Sequence, residues 1–198
     1  MEKLFELRNK LNIKKIALTA IIILVIICLI FLTLSIIKHN KKNNNLNSKF
    51  ISSDNSISVE LSNKYNLSKY KSVQDYILEL RSPNNINIFF SHKDLIENRT
   101  FNDIVSSDKK FYIENFNSYS NLSDIAELTV NGYPAYSYSF HYLDSKDERT
   151  PYYLQILWIE TENGYYIIDI EFPLNFLDSN SSIINDLISN LTFSFIKQ

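Results

Sequence analysis

The chain has one cysteine, two glycines and four prolines in 198 residues. A single Cys28 excludes an intrachain disulfide, and with it a disulfide-stapled secreted fold. The only glycines, Gly132 and Gly164, are too far apart to write G-x-G-x-x-G or a Walker loop, so Gly-rich phosphate cradles are excluded. No G-x-S-x-G nucleophile elbow can be written either. Histidines number three, which leaves little material for metal sites. Asn, Ile, Lys, Ser and Tyr are used heavily, so a serine near a histidine, or an Asn98-Arg99-Thr100 sequon, carries little information.

Charge is missing altogether from residues 16–37, IALTAIIILVIICLIFLTLSII. A helix of that length spans roughly 33 Å, matching a hydrocarbon core of ~30 Å. Lys14 and Lys15 close one end, and Lys38 and His39 the other. The run is longer than a signal-peptide apolar region, and no small-residue cleavage site follows it. Cys28 follows Ile27 rather than a small residue, which argues against a lipid-anchor motif and for a small apolar residue within the span. The expected organisation is therefore a basic leader 1–15, a transmembrane signal anchor 16–37, a polar flexible linker 38–56 and a domain 57–198. The flanks carry five and four positive charges, so charge bias scarcely orients the span. A short leader before a long domain favours N-terminus inside and C-terminal domain outside. Leu4, Phe5, Leu7 and Leu11 of the leader could also form a short membrane-surface helix.

The near-neutral total, −2, hides an uneven distribution. Residues 51–198 hold 11 Lys and Arg against 20 Asp and Glu. Such an acidic head lacks the cationic footprint that nucleic acid requires, so no nucleic-acid partner is expected. It also disfavours lying flat on anionic lipid. The expected partners are the bilayer, through 16–37, and an envelope protein or ligand that the sequence does not name.

Period-two alternation starts at Ile57, Val59 and Leu61 and recurs at Tyr76, Leu78 and Leu80, then at Ile86, Ile88 and Phe90. Thr100 followed by Asp103 reads as a helix N-terminus, with Phe101, Ile104, Val105, Phe111 and Tyr112 at helical spacing. A strand over 125–130 meets Asn131-Gly132, the strongest short hairpin signal. Three long strands follow, over 130–143, 152–160 and 165–172, separated by 144–149 and by Glu162-Asn163-Gly164. A closing helix over 179–190 carries Ile183, Ile184, Leu187 and Ile188, with Leu191 continuing its apolar stripe. Two helices and about seven strands predict an α+β domain built on an antiparallel sheet.

Tyr136, Tyr138, Phe140 and Tyr142 fall on one face of their strand. The neighbouring strands are apolar on both faces, so both faces need cover. The aromatic row is therefore expected in the core, with hydroxyls reaching the sheet margin.

Chemistry-bearing candidates are few. His92 with Asp94, and His141 with Asp144, supply two ligands each, and no third is fixed by spacing. Asp169 and Glu171 share one strand face and read as a hydrogen-bonded or exposed strand end. No catalytic, cofactor-binding or metal-binding residue is assigned and no cofactor is expected. A non-catalytic binding domain is the expected function. The alternative is a small cell-envelope hydrolase using His141 or the strand-end carboxylates.

The order SISVELSNKY, hairpin, helix, LTVNGYPAYSYSFHY, long hairpin and LISNLTFSF resembles the Mog1/PsbP-like family, over about residues 56–196. The Asn-Gly followed by Pro-Ala and the closing L-x-F-S-F resemble segments of the bacterial PsbP-like proteins. The chain departs from the family's Pro-x-x-Trp after the first strand, having Ser62-Asn63-Lys64-Tyr65 there. The resemblance implies an α/β/α sandwich. Family members bind photosystem components or a small GTPase, and no residue here carries those partners over.

Overall fold

The computed structural model describes residues 47–71, 75–83, 85–96, 98–115, 120–144 and 147–194, side chains at 144 and 147–149 aside. The leader, the apolar run 16–37 and the first part of the linker lie outside the described residues. Among the described residues, no helix is long and apolar enough to cross a membrane.

The architecture grows from its hairpins. Asn131 (φ 51°) and Gly132 (φ 86°) both take left-handed backbone, the geometry of a two-residue type I′ turn. They join β6 (Ala126–Val130) to β7 (Tyr133–Asp144) with Val130 opposite Tyr133. β7 then pairs along β8 (Asp147–Thr161), and β8 along β9 (Gly164–Pro173). The second turn is Glu162-Asn163, with Thr161 opposite Gly164, so Gly164 begins the strand instead of belonging to the turn. A Cβ on Gly164 would lie 2.3 Å from the Lys93 carbonyl oxygen and 2.7 Å from His92 Nε2, so only glycine fits this approach.

β9 also pairs with β5 (Asn87–Lys93), β5 with β4 (Leu78–Arg81), and β4 with β3 (Ser68–Tyr70). The result is a seven-stranded antiparallel sheet in the order β3-β4-β5-β9-β8-β7-β6. Its membership differs from the sequence expectation. The strand at Ile57, here β2 (Ile57–Ser62), belongs to a separate three-stranded sheet, flanked by β1 (Asn47–Ile51) and β10 (Leu191–Phe193). β1 corrects the expected linker 38–56: residues 47–51 pair with β2 along their whole length. Their inward side chains are only Ser48 and Phe50, too few to show a hydrophobic period. The predicted closing helix is a 3-10 turn (Leu174–Phe176), α2 (Leu177–Asn180) and α3 (Ser182–Asn190). Leu191 joins the apolar stripe, yet its backbone is extended and pairs opposite Val59.

Each face of the large sheet has its own core. On one, Leu80, Ile88, Phe90, Leu157, Ile168 and Phe172 pack under β2 and α3, through Ile57, Val59, Leu61, Ile183 and Leu187. On the other, Tyr138, Phe140, Leu154, Ile156 and Trp158 pack with Phe101, Ile104 and Val105 of α1 (Phe101–Asn115). Tyr138 and Phe140 are each 1% exposed, so the aromatic row is core as the sequence predicts. α1 starts on the expected cap. The Asp103 amide donates to Thr100 Oγ1 at 3.2 Å, and the Thr100 amide donates back to Asp103 Oδ2 at 3.3 Å.

Candidate functional site

β9 is buried at eight of its ten positions, and the two breaks are Asp169 and Glu171. Period two turns both toward the face under α1. Burying a carboxylate there is costly unless something satisfies it. Glu171 is satisfied: Asn87 Nδ2 donates to Oε1 at 2.7 Å, and the Tyr142 hydroxyl to Oε2 at 2.7 Å. The sequence reading of a hydrogen-bonded or exposed strand end holds for Glu171 in its first form. Asp169 is partly exposed, yet its Oδ1 is sealed from solvent with no hydrogen-bond partner.

A third carboxylate comes from α1. Asp108 lies one turn from Ile104 and one from Tyr112, so helical spacing puts it on the stripe facing the sheet. Its Oδ2 accepts from the Tyr138 hydroxyl at 2.7 Å and from Trp158 Nε1 at 3.1 Å. Burial, then the nearby charges of Asp108 and Glu171, push the Asp169 carboxyl up to about 7, while Lys93 opposes them weakly. Burial, then Asp169 and Asp108, push the Tyr112 phenol well above its usual range, and burial, then Asp108, do the same to Tyr138.

Beyond the carboxylates, toward the β3 edge, the sheet carries a groove of about 480 Å³ lined by Tyr70, Lys71, Tyr76, Glu79, Arg81, Phe89 and Glu171. A second cavity of about 460 Å³ shares Tyr70, Lys71, Tyr76 and Glu79 with it. Such volumes suit a small ligand. The Tyr76 and Phe89 rings lie 4.9 Å apart, tilted by 34°. Alternation predicts Tyr76 in phase with Leu78 and Leu80. Instead it precedes β4 and turns to Phe89 on the opposite face. Arg81 sits 5.3 Å from the Tyr70 ring and is committed to Glu79, with Nε 2.5 Å from Oε1. Glu79 is itself 4% exposed.

The other candidates lie elsewhere. His141 projects from the opposite face of β7, its Nδ1 2.9 Å from Asn121 Nδ2 and its ring 5.9 Å from Tyr153. Asp144's side chain lies outside those described. His92 packs on Tyr166 at 4.7 Å, its Nε2 buried without a partner, while Asp94 is exposed in the following loop. Among the described residues, no group of three His, Cys, Asp or Glu side chains is placed to hold a metal ion. Sequence reasoning missed Asp108 and the groove wall at Tyr70, Glu79 and Arg81. Helical spacing from Ile104 could have found Asp108. The groove needed the β3–β4–β5 pairing, which no motif announces.

No protein-family model matches the chain. No curated protein sequence matches it either. Solved structures do. PsbP (CyanoP) from the cyanobacterium Synechocystis is similar at a TM-score of 0.53 and 9% identity, covering 75% of this chain and 93% of that one. LpqN of Mycobacterium tuberculosis, a protein involved in cell envelope biogenesis, is similar at a TM-score of 0.56 and 10% identity, covering 75% and 91%. A protein from Bacteroides thetaiotaomicron is similar at 0.54 and 10%, covering 76% of this chain and 49% of its own. Identity this low speaks to the fold alone, and it shows that the head, with its antiparallel seven-stranded sheet and covering helices, has the PsbP-like fold.

Proposed function

We propose that this chain is a single-pass membrane protein that presents a non-catalytic PsbP-like binding domain outside the cell. The observation that carries the binding reading is how the sheet distributes its polar groups. His141 lies opposite Tyr153, which lies opposite Phe172, all on one face. Asp169 lies opposite Ile156, which lies opposite Tyr138, on the other. A sheet therefore stands between the histidine and the carboxylates, and they cannot share a proton or a substrate atom. What the carboxylate face offers is a groove with aromatic walls and acidic groups, the make-up of a recognition site.

The anchor rests on the 22 uncharged residues 16–37 and on the basic residues that flank them. LpqN, of like fold, is involved in cell envelope biogenesis, which supports an envelope setting for this head. Long domains translocate largely regardless of charge, and a 15-residue leader is readily retained inside. Protease added to intact, wall-stripped cells should remove a C-terminal epitope tag and spare an N-terminal one. Survival of the C-terminal tag until lysis would put the head in the cytoplasm and end the extracellular reading.

One observation favours a second reading, a small envelope hydrolase. Asp169 retains its proton to about 7, within the range useful to a general acid or base. No described serine, threonine or cysteine is hydrogen-bonded to it, so this reading has a proton carrier without a nucleophile.

A further inference from the structure

We propose that the groove walled by Tyr70, Tyr76 and Phe89 binds a small organic cation, a primary ammonium on a short aromatic or apolar body, with Glu171 and Asp169 as its counter-charges. This deepens the reading of the head as a binding module and rests on it.

The carboxylates of this face carry charge that no ion pair among the described residues neutralises. Asp108, Asp169 and Glu171 take part in none of the ion pairs among the described residues, which join Lys64 to Asp186, Arg81 to Glu79 and Lys110 to Glu114. The groups that do touch Asp108 and Glu171 are neutral donors, a phenol and an indole for one, an amide and a phenol for the other. Such donors fix where a carboxylate points and leave its charge in place. Asp169 lacks even that at Oδ1. It lies opposite Phe89 in the register and two residues from Glu171 on the same face, and both of those neighbours line the groove. Burial first, and then the charges of Asp169 and Glu171, raise the phenol of Tyr76 in the wall, so both carboxylates act on the groove.

An incoming cation meets what the site lacks. An ammonium has three N–H donors and can give one to Glu171 and one toward Asp169 Oδ1. Tyr76 and Phe89 supply ring faces that attract a cation and cover an apolar body, while Tyr70, which already has Arg81 over its ring, adds apolar cover. Arg81 cannot take this role, because its guanidinium is held by Glu79. An anion would meet Glu79 and Glu171 in the lining, with Asp169 two residues from Glu171, and of the lining's two cations, Lys71 and Arg81, the second is held by Glu79. A hard metal ion needs about six oxygen ligands, and no described group of three acids is placed to hold one.

Binding should also follow pH. The groups that face Asp169 are Asp108 and Tyr112 from α1, Lys93 from β5, Tyr138 from β7, Tyr76 before β4, and Glu171 on its own strand. The phenols stay neutral through this range, so Asp169 is the group that gains charge between pH 6 and 8. If only the ionised form binds, its population and hence the affinity rise about tenfold over that interval.

The test uses the full-length chain in detergent micelles, with calorimetry and the emission of its only tryptophan, Trp158, whose indole donates to Asp108. Phenethylammonium, phenethyl alcohol, 3-phenylpropionate and calcium chloride are titrated separately. Saturable binding is expected for the ammonium alone, about tenfold tighter at pH 8 than at pH 6. Asp169→Asn should abolish the pH dependence, and Glu171→Gln should weaken binding by about tenfold or more. Near-ultraviolet circular dichroism of each variant checks the fold, and Tyr76→Ala gives a variant away from the carboxylates, which should also weaken binding. Equal binding of ammonium and alcohol, no binding of the ammonium, binding of calcium alone, or an Asp169→Asn variant with unchanged affinity would each overturn the proposal. Mass spectrometry of the recovered probe separates the two readings: a bound and chemically altered amine leaves the site standing and removes the non-catalytic function.

Discussion

Asp169→Asn should make the head more stable at neutral and alkaline pH, and should flatten its pH profile. The carboxyl titrates near 3.8 when unstructured and near 7 in the fold. At ~1.4 kcal/mol per tenfold step, that difference means folding is opposed by up to about 4 kcal/mol once the group is ionised. The sign follows from proton counting. Between the two values the folded state holds a proton that the unfolded chain has released, so stability falls as pH rises from about 4 to about 7. Above that the loss is complete. Other acids act in the opposite direction. Burial alone would raise Asp54, but hydrogen bonds from Ser52 and Ser56 outweigh it and hold the carboxyl below its usual range. The Thr100 hydroxyl and amide do the same for Asp103. Their contribution is present above the ordinary carboxylate range and lost in stronger acid, so stability should peak at about pH 4–5 between the two windows.

Asparagine keeps the shape and removes the charge, although its amide needs partners of its own. A gain of roughly 2 kcal/mol at pH 8 is therefore expected, about half of the maximum. Urea unfolding of residues 46–198, the segment that carries both cores, would be followed at half-unit intervals from pH 4 to 8. Wild type should lose up to ~1.4 kcal/mol per pH unit in the steep part, and the variant should not. A variant less stable than wild type at pH 8, with an unchanged slope, would refute the claim that Asp169 is buried without compensation.

Two further substitutions test the packing. Phe140 is 1% exposed and packs on Tyr112 at 5.3 Å, so Phe140→Ala should cost about 3–5 kcal/mol; an unchanged melting midpoint would return the aromatic row to the surface. Gly164→Ala puts a methyl into the Lys93 carbonyl and His92 ring at a φ of 140°, and should cost about 2–4 kcal/mol in the same unfolding assay, whereas a neutral result would mean that β5 and β9 separate easily there.

The parts of the fold that were legible are those with a local cause. Asn131-Gly132 could make one kind of turn, and it did. Ile86, Ile88 and Phe90 share a face because strand period is fixed, and all three are buried in one core. β1 and β10 were illegible for a different reason. Each is short and is held by pairing with β2, so its cause lies about 10 to 130 residues away in sequence instead of in its own composition.

The candidate site shows the same division. The alternation on β9 already puts Asp169 and Glu171 together, and their apolar neighbours Tyr165 and Ile167 suggest a hydrogen-bonded or exposed strand end. What decides their environment is the other side of the contact. α1 lays Phe101, Ile104 and Val105 over the strands and brings Asp108 with them. Docking that helix removes water from Asp169 and adds a like charge in one step. Glu171 escapes the same fate because Asn87 and Tyr142, from strands on either side, reach its two oxygens. Two carboxylates two residues apart thus acquire different chemistry from neighbours that no local pattern reveals. If Asp169→Asn stabilises the head while abolishing the pH dependence of ammonium binding, burial without compensation and ligand recognition will trace to the same carboxylate.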